Sequence, residues 1–444
     1  MVFRAGGLVS GLDTNSIIEG FVKLERMPID QLESRKKTLG QQKAVLSDIA
    51  SALNSLSTQM GKLDTANKVL SNQATSSNAE VMTVSATGEA VQGTHIIQTL
   101  QLARAEQDRS TAFAAGTTAV RTGKLTLTVQ GKDPVEVEIK PGNSLDSVAY
   151  RINISGARVS ATVINTGTES YLSVFSMESG YDGADPEAAL AIQEDYTGTE
   201  GQVLGLTTTV QAQNAKLVFD GLAMERKSNS IKDITKGLVI NLIDDKDDPT
   251  INITVAPNKE AVKTTLLGFA DSYNKAIKML SAQFQYTEGQ TAGVLFGDGT
   301  LRNLLVGLQT NATGNIDNDG VYSTLAAIGM KTEKDGTLSV DDTKLTEAMD
   351  KDFQSIADLF VQNGDGLADK LTTFIKQYTN TANGILKYRD RGIDQRNDAL
   401  DDQIARMEDA VAAYEERLVK GFTAMENTIA QLQDQQGYLS AMTS

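Results

Sequence analysis

Residues 393–439 read IDQRNDALDDQIARMEDAVAAYEERLVKGFTAMENTIAQLQDQQGYL. Within them Ile393, Asn397, Leu400, Ile404, Met407, Val411, Tyr414, Leu418, Phe422, Met425, Ile429, Leu432, Gln436 and Leu439 recur at steps of 4 and 3. A mean step of about 3.5 residues is the seam of a helix that winds around a partner. Two successive steps of 4, at Tyr414–Leu418–Phe422, form a stutter that locally unwinds a left-handed supercoil. No proline follows Pro257. At ~1.5 Å per residue such a helix is roughly 70 Å long, and it needs a partner along its length.

Outward from that stretch, the N-terminal segment offers the partner. Ser16 with Glu19 reads as a capping box ahead of Ile17, Phe21 and Leu24. Pro28 interrupts the helix, because it lacks a donor and restricts Met27 before it; the helix resumes at Ile29 and Leu32. The clearest seam is Leu46, Ile49, Leu53, Leu56, Met60, Leu63, Asn67 and Leu70. The expectation is an antiparallel stalk. Its core sets Leu46, Ile49, Leu53, Leu56, Met60 and Leu63 against Leu400, Ile404, Met407 and Val411.

Between the two ends the apolar period drops to two. Leu125, Leu127 and Val129, then Val135, Val137 and Ile139, read as a hairpin. A short helix spans 144–153, strands follow at 159–163 and 171–175, and an acidic loop of small residues covers 178–200. Residues 216–226 form a second hairpin turning at Asp220-Gly221, a preferred type I′ pair. Strands at 238–243 and 251–255 precede helices at 260–280 and 301–308, a hairpin at 330–340, and helices at 341–360 and 367–378.

The fold class is therefore α+β and multidomain. An antiparallel coiled-coil or helical-bundle stalk comes from both chain ends, and β-rich head domains are inserted in it. The expected division is a leg helix at 1–45 paired with 405–444, and a stalk helix at 46–75 paired with 258–404. An inner head comprises 76–110 and 212–257, and an outer head 111–211.

Composition narrows the chemistry. The 444 residues carry 41 Lys plus Arg against 57 Asp plus Glu, a net charge of −16. That disfavours nucleic acid and anionic membranes, which need a basic face. No apolar run reaches the ~18–20 residues of a membrane span. With no cysteine and a single histidine, His95, disulfides, thiolate chemistry and two-histidine metal sites are excluded. The first ten residues hold no apolar run of signal-peptide length, so if the protein works outside a cell it leaves by a route without a cleaved signal.

Motifs that could carry chemistry read more simply as structure. Asn315, Asp317, Asp319 and Gly320 loosely match a calcium loop, but Ala326 stands where a bidentate Glu is required. Gly297-Asp298-Gly299 reads as a helix cap, Asp244–Asp248 as a solvated loop, and His95 as a strand residue. No cofactor, metal or catalytic residue is expected, and the chain is read as no enzyme.

Two blocks resemble a known family. Gly11-Leu12-Asp13-Thr14-Asn15-Ser16-Ile17-Ile18 with Leu24-Glu25-Arg26-Met27-Pro28-Ile29 is similar to the N-terminus of flagellar filament cap proteins (hook-associated protein 2). The stretch from Leu217-Val218-Phe219-Asp220-Gly221-Leu222 through Gly237-Leu238-Val239-Ile240-Asn241-Leu242 resembles the start of that family's C-terminal region. So do Gly320 … Leu325 … Ile328-Gly329 … Asp335-Gly336-Thr337-Leu338 and the closing helix.

The resemblance implies a homo-oligomeric ring of four to six copies at the extracellular tip of the bacterial flagellum. The ring would promote flagellin folding, insertion and filament elongation through helical legs. Partners implied are flagellin, a hook–filament junction protein, sister copies and a type III export chaperone. The contact surface expected on this reading is Leu8, Leu12, Ile17, Phe21 and Leu24 at one end, with Phe422, Met425, Ile429, Leu432 and Leu439 at the other. Alternatives are a tip adhesin for host glycans or mucin, with 111–211 as its binding part, and another axial hook–filament junction protein.

Overall fold

The computed structural model describes residues 11–183, 185–246, 250–285 and 292–443. The chain opens with α1 (Thr14–Met60) and the short α2 (Ala66–Val69). Strands β1 (Asn72–Ser76), β2 (Met82–Ala86), β3 (Gly93–Gln101), β4 (Gln107–Arg109), β5 (Gly123–Val129) and β6 (Val135–Ile139) lead to α3 (Leu145–Ile154). Then come β7 (Val159–Asn165), β8 (Ser170–Ser176), β9 (Leu190–Tyr196), β10 (Thr207–Val210), β11 (Ala215–Phe219) and β12 (Leu222–Arg226). After β13 (Ser230–Ile231), β14 (Leu238–Leu242) and β15 (Ile251–Pro257), the chain continues through α4 (Lys259–Ala282) and α5 (Gly299–Thr313). A hairpin of β16 (Met330–Thr332) and β17 (Leu338–Val340) precedes α6 (Asp342–Lys351), α7 (Phe353–Val361), α8 (Leu367–Thr379) and α9 (Ile385–Thr443).

The chain divides into two compact units. One gathers Met1–Ala66 with Lys263–Ser444, and the other is Asn67–Val262. In the first, α1 and α9 run antiparallel, and α4, α5, α7 and α8 build an apolar core. Phe269 of α4 meets Phe360 of α7 edge-on at 6.1 Å, and Tyr273 is fully buried beside Phe269. Leu301, Leu304 and Leu308 of α5 and Leu371 and Ile375 of α8 are buried at helical spacing.

Helix α1 departs from expectation at three points. Its cap is Asp13, whose carboxylate accepts from Ser16 N at 3.1 Å and from the Ser16 hydroxyl at 2.6 Å, so Ser16 donates rather than caps. Pro28 lies inside the helix and does not break it. Ile29 and Leu32 just beyond are buried, and that packing outweighs the one lost backbone bond. The helix ends at Met60, before the heptad pattern does. Gly61 turns the chain, Leu63 is buried in the turn, and Val69 is buried while Asn67 is exposed.

The second unit holds two cores. One lies under the five-stranded antiparallel sheet β1-β15-β3-β11-β12 and the three-stranded sheet β13-β14-β2. The β11–β12 hairpin turns at Asp220 (φ 49°) and Gly221 (φ 82°), the two positive values a type I′ turn requires. The other core lies under β10-β4-β8-β7, β6-β5-β9 and α3. Strand β9 replaces part of the expected 178–200 loop. It pairs along the whole of β5, with Leu127 opposite Ile192 and Val129 opposite Leu190. Its polar second half hides the alternation, and its partner strand supplies the order.

Candidate functional site

The pairing of α1 with α9 is read from ion pairs. Arg26 reaches Glu408 at 3.5 Å, Lys36 pairs with Asp401, and Lys43 pairs with Asp394 and, at 3.4 Å, with Asp390. Partner numbers on α9 fall as those on α1 rise, so the helices are antiparallel. This register corrects the expected stalk. Leu400, Ile404, Met407 and Val411 lie opposite the α1 stretch around residues 24–35, not opposite Leu53–Leu63. Leu46, Ile49, Leu53, Leu56, Met60 and Leu63 are all buried. Val411 is buried too, while Leu400, Ile404 and Met407 are half-buried. The heptad spacing of each helix is local, whereas the offset between them depends on where α9 begins, at Ile385. No seam by itself carries that offset.

The same register leaves part of each helix without the other. Thr14, where α1 starts, falls opposite the stretch around Gly421–Thr423, and α9 continues to Thr443, about 30 Å further. There Phe422, Met425 and Ile429 are half-buried, and Leu432 and Leu439 are 58% and 65% exposed. On α1, Ile18 and Ile29 are buried, whereas Ile17, Phe21 and Leu24 share a face about 100° away that is open to solvent. Phe21 is 45% and Leu24 63% exposed, and Leu12 and Met27 are also exposed. Leu8 lies outside the described residues. The outcome is an apolar stripe on the outer face of α1 and a second along the end of α9. Large aliphatic and aromatic groups at helical spacing are suited to another helix, not to a small molecule.

Elsewhere the polar residues that the sequence singled out are engaged within the fold. Asp298 caps α5 and pairs with Arg389. Asn318 accepts from Gly320 N at 2.8 Å and donates to the Tyr322 carbonyl at 2.9 Å, forming a closed turn. Asp245 accepts from Leu102 N at 3.0 Å and Asp244 from Lys246 N at 3.1 Å; Asp247 and Asp248 lie outside the described residues. His95 sits on β3, its Nδ1 2.7 Å from the Asp220 carboxylate and its ring 5.0 Å from that of Phe219. The hydrogen bond from His95 holds the Asp220 carboxyl below its ordinary value. Two buried carboxylates, Glu106 and Asp108, were not singled out by sequence, because nothing in the spacing of β4 marks them. They are closed off from solvent, so no substrate can reach them. No cluster of three or more potential metal ligands occurs among the described residues.

The chain matches known proteins over most of its length. The profile of the flagellar hook-associated protein 2 C-terminus matches residues 212–434, and that of the N-terminus of the same protein matches residues 10–106. The chain is 29% identical over 472 residues to the A-type flagellar hook-associated protein 2 of Pseudomonas aeruginosa, covering 99% of this chain and 96% of that one. It is 28% identical over 459 residues to flagellar hook-associated protein 2 of Escherichia coli strain K12, covering 98% and 96%. Among solved structures, the D1-D2-D3 domains of the flagellar cap protein FliD from Escherichia coli match with a TM-score of 0.63 at 28% identity, over 79% of this chain and 99% of that one.

Proposed function

The chain belongs to the flagellar hook-associated protein 2 family, and on that premise we propose that it works by lending the exposed apolar faces of α1 and α9 to other helices at the filament tip. It is a flagellar filament cap protein, a structural part of the flagellum that acts outside the cell. Capping implies contact with flagellin and association with sister copies.

The finer reading concerns how. Ile17, Phe21 and Leu24 on α1, and Phe422, Met425, Ile429, Leu432 and Leu439 on α9, form the contact surface for helical partners: flagellin during growth, and a hook–filament junction protein at the start of assembly. Four to six copies form the ring, and a type III export chaperone covers the apolar ends before export. The β-rich unit serves as a platform and carries no covalent chemistry. The observation that carries this reading is the run of α9 past the start of α1, with Leu432 and Leu439 open to solvent. Burying such a stripe against a partner returns ~25 cal/mol per Å² of apolar surface, which is the driving force for docking.

A chain ended after Gln431 tests it. The expected result is unchanged folding of both units with filament elongation abolished. Filaments of normal length with that chain would overturn the reading.

A further inference from the structure

Glu106 and Asp108 lie where the chain passes from one core of the second unit to the other, at the entrance to and within β4. Both are almost closed off, at 2% and 5% exposure. The Glu106 carboxylate accepts from Leu190 N of β9 at 3.1 Å and from the Thr208 hydroxyl of β10 at 3.4 Å. Its main-chain oxygen accepts from Ser176 N at the end of β8 at 3.0 Å. One residue therefore ties β8, β9 and β10 to the start of β4, and so links two sheets. Asp108 is two residues on, its side chain also against Thr208, and its Oδ1 has no hydrogen-bond donor.

Among the described residues no positive charge offsets the pair. The charged groups that bear on Glu106 are Asp108 and Glu187, the latter from the turn before β9. Arg109 follows in sequence, but it lies over the Tyr171 ring at 5.3 Å. Two buried carboxylates with no cation repel each other, and a proton is the cheapest relief. Burial, then the charge of Asp108, pushes the Glu106 carboxyl up to about 7; burial also raises Asp108.

We propose that Glu106 and Asp108 form a proton-operated staple: the pair shares one proton while β9 and β10 are closed on β4, and losing that proton to a base in solution loosens this junction. The sign follows from linkage. A carboxyl whose folded value is raised contributes stability that is complete below its unfolded value, near 4.5, and is lost as pH rises through about 7. The unit should therefore be tighter in mildly acidic surroundings and looser in alkaline ones.

The test uses the full chain. Infrared spectroscopy of the wild type should show a buried protonated carboxyl at pH 6 that fades by pH 8. Over the same window, amide exchange at Leu190, corrected for the intrinsic rate, should quicken several-fold, up to about tenfold. Glu106→Gln keeps an acceptor for Leu190 N and supplies a donor, so it should flatten the pH dependence of both the exchange and the melting of the second unit. Asp108→Asn should do the same in part. If Glu106→Gln fails to fold, the infrared titration of the wild type still decides. Absence of the protonated band at pH 6, or an unchanged pH dependence in both variants, would overturn the proposal.

Discussion

Arg26 and Glu408 stand 382 residues apart in sequence and 3.5 Å apart in space. With Lys36–Asp401 and Lys43–Asp390, the contact fixes both the direction and the offset of α1 against α9. The pairs are largely exposed and screened by solvent, so the ladder selects a register rather than supplying the stability. The protein contains no cysteine, so a pair introduced as Lys36→Cys with Asp401→Cys is chemically clean. A short bis-maleimide should link the two positions within one chain in high yield. A control with Lys36→Cys and Asp390→Cys, about three helical turns out of register, should link far less.

Leu53 is fully buried on α1. Leu53→Ala should cost ~2–5 kcal/mol through the lost contacts and the cavity. Leu53→Asp adds an unpaired buried charge and should cost more than about 4 kcal/mol, enough to melt the helical unit. Thermal unfolding checks both. An unchanged midpoint for the Asp variant would mean that this part of α1 is not packed.

Asp352 separates α6 from α7, which the sequence reads as one helix over 341–360. Its carboxylate accepts from Ser355 N at 3.0 Å and from the Ser355 hydroxyl at 2.7 Å. The backbone hydrogen bond from Ser355 holds the carboxyl below its ordinary value. Its contribution is then present above about pH 4 and lost as pH falls through the folded value. Asp352→Ala should cost ~1 kcal/mol at pH 7 by urea unfolding. The gap between the two proteins should narrow at pH 3.

Asn214 ties the two cores of the β-rich unit. Its side chain accepts from Tyr181 N at 2.8 Å and donates to the Tyr181 carbonyl at 3.1 Å and to Glu225 at 2.9 Å. Gly180 beside it has φ +67°, and a Cβ there would sit 2.6 Å from the Lys227 Cα. Gly180→Ala should therefore dislodge the 178–182 loop, as should Asn214→Ala. Amide exchange across Ser179–Asp182 should rise in both, while the strands of β3 and β15 stay protected.

The helical ends were legible because their signal is local. Leu46 to Met60 and Ile393 to Ile429 repeat at helical spacing whatever they pack on, and the Asp220-Gly221 turn needs only two residues. What sequence did not carry was relational. The offset that sets Arg26 on Glu408 depends on where each helix begins. The strand at Leu190–Tyr196 takes its order from β5. Glu106 and Asp108 are ordinary acidic residues until the sheets close over them. For the proposed contact surface, spacing marked Ile17, Phe21 and Leu24 as one apolar face. It took the packing of Ile18 and Ile29 to see that this face looks away from α9.

The central claim is that the end of α9 is a docking surface for another polypeptide. The most direct measurement places a photo-crosslinking residue at Leu439 during filament growth, with exposed Lys334 on the β16–β17 hairpin as control. The account predicts that Leu439 joins flagellin or a sister copy on irradiation and that Lys334 does not. Crosslinks from Leu439 confined to its own chain would contradict it.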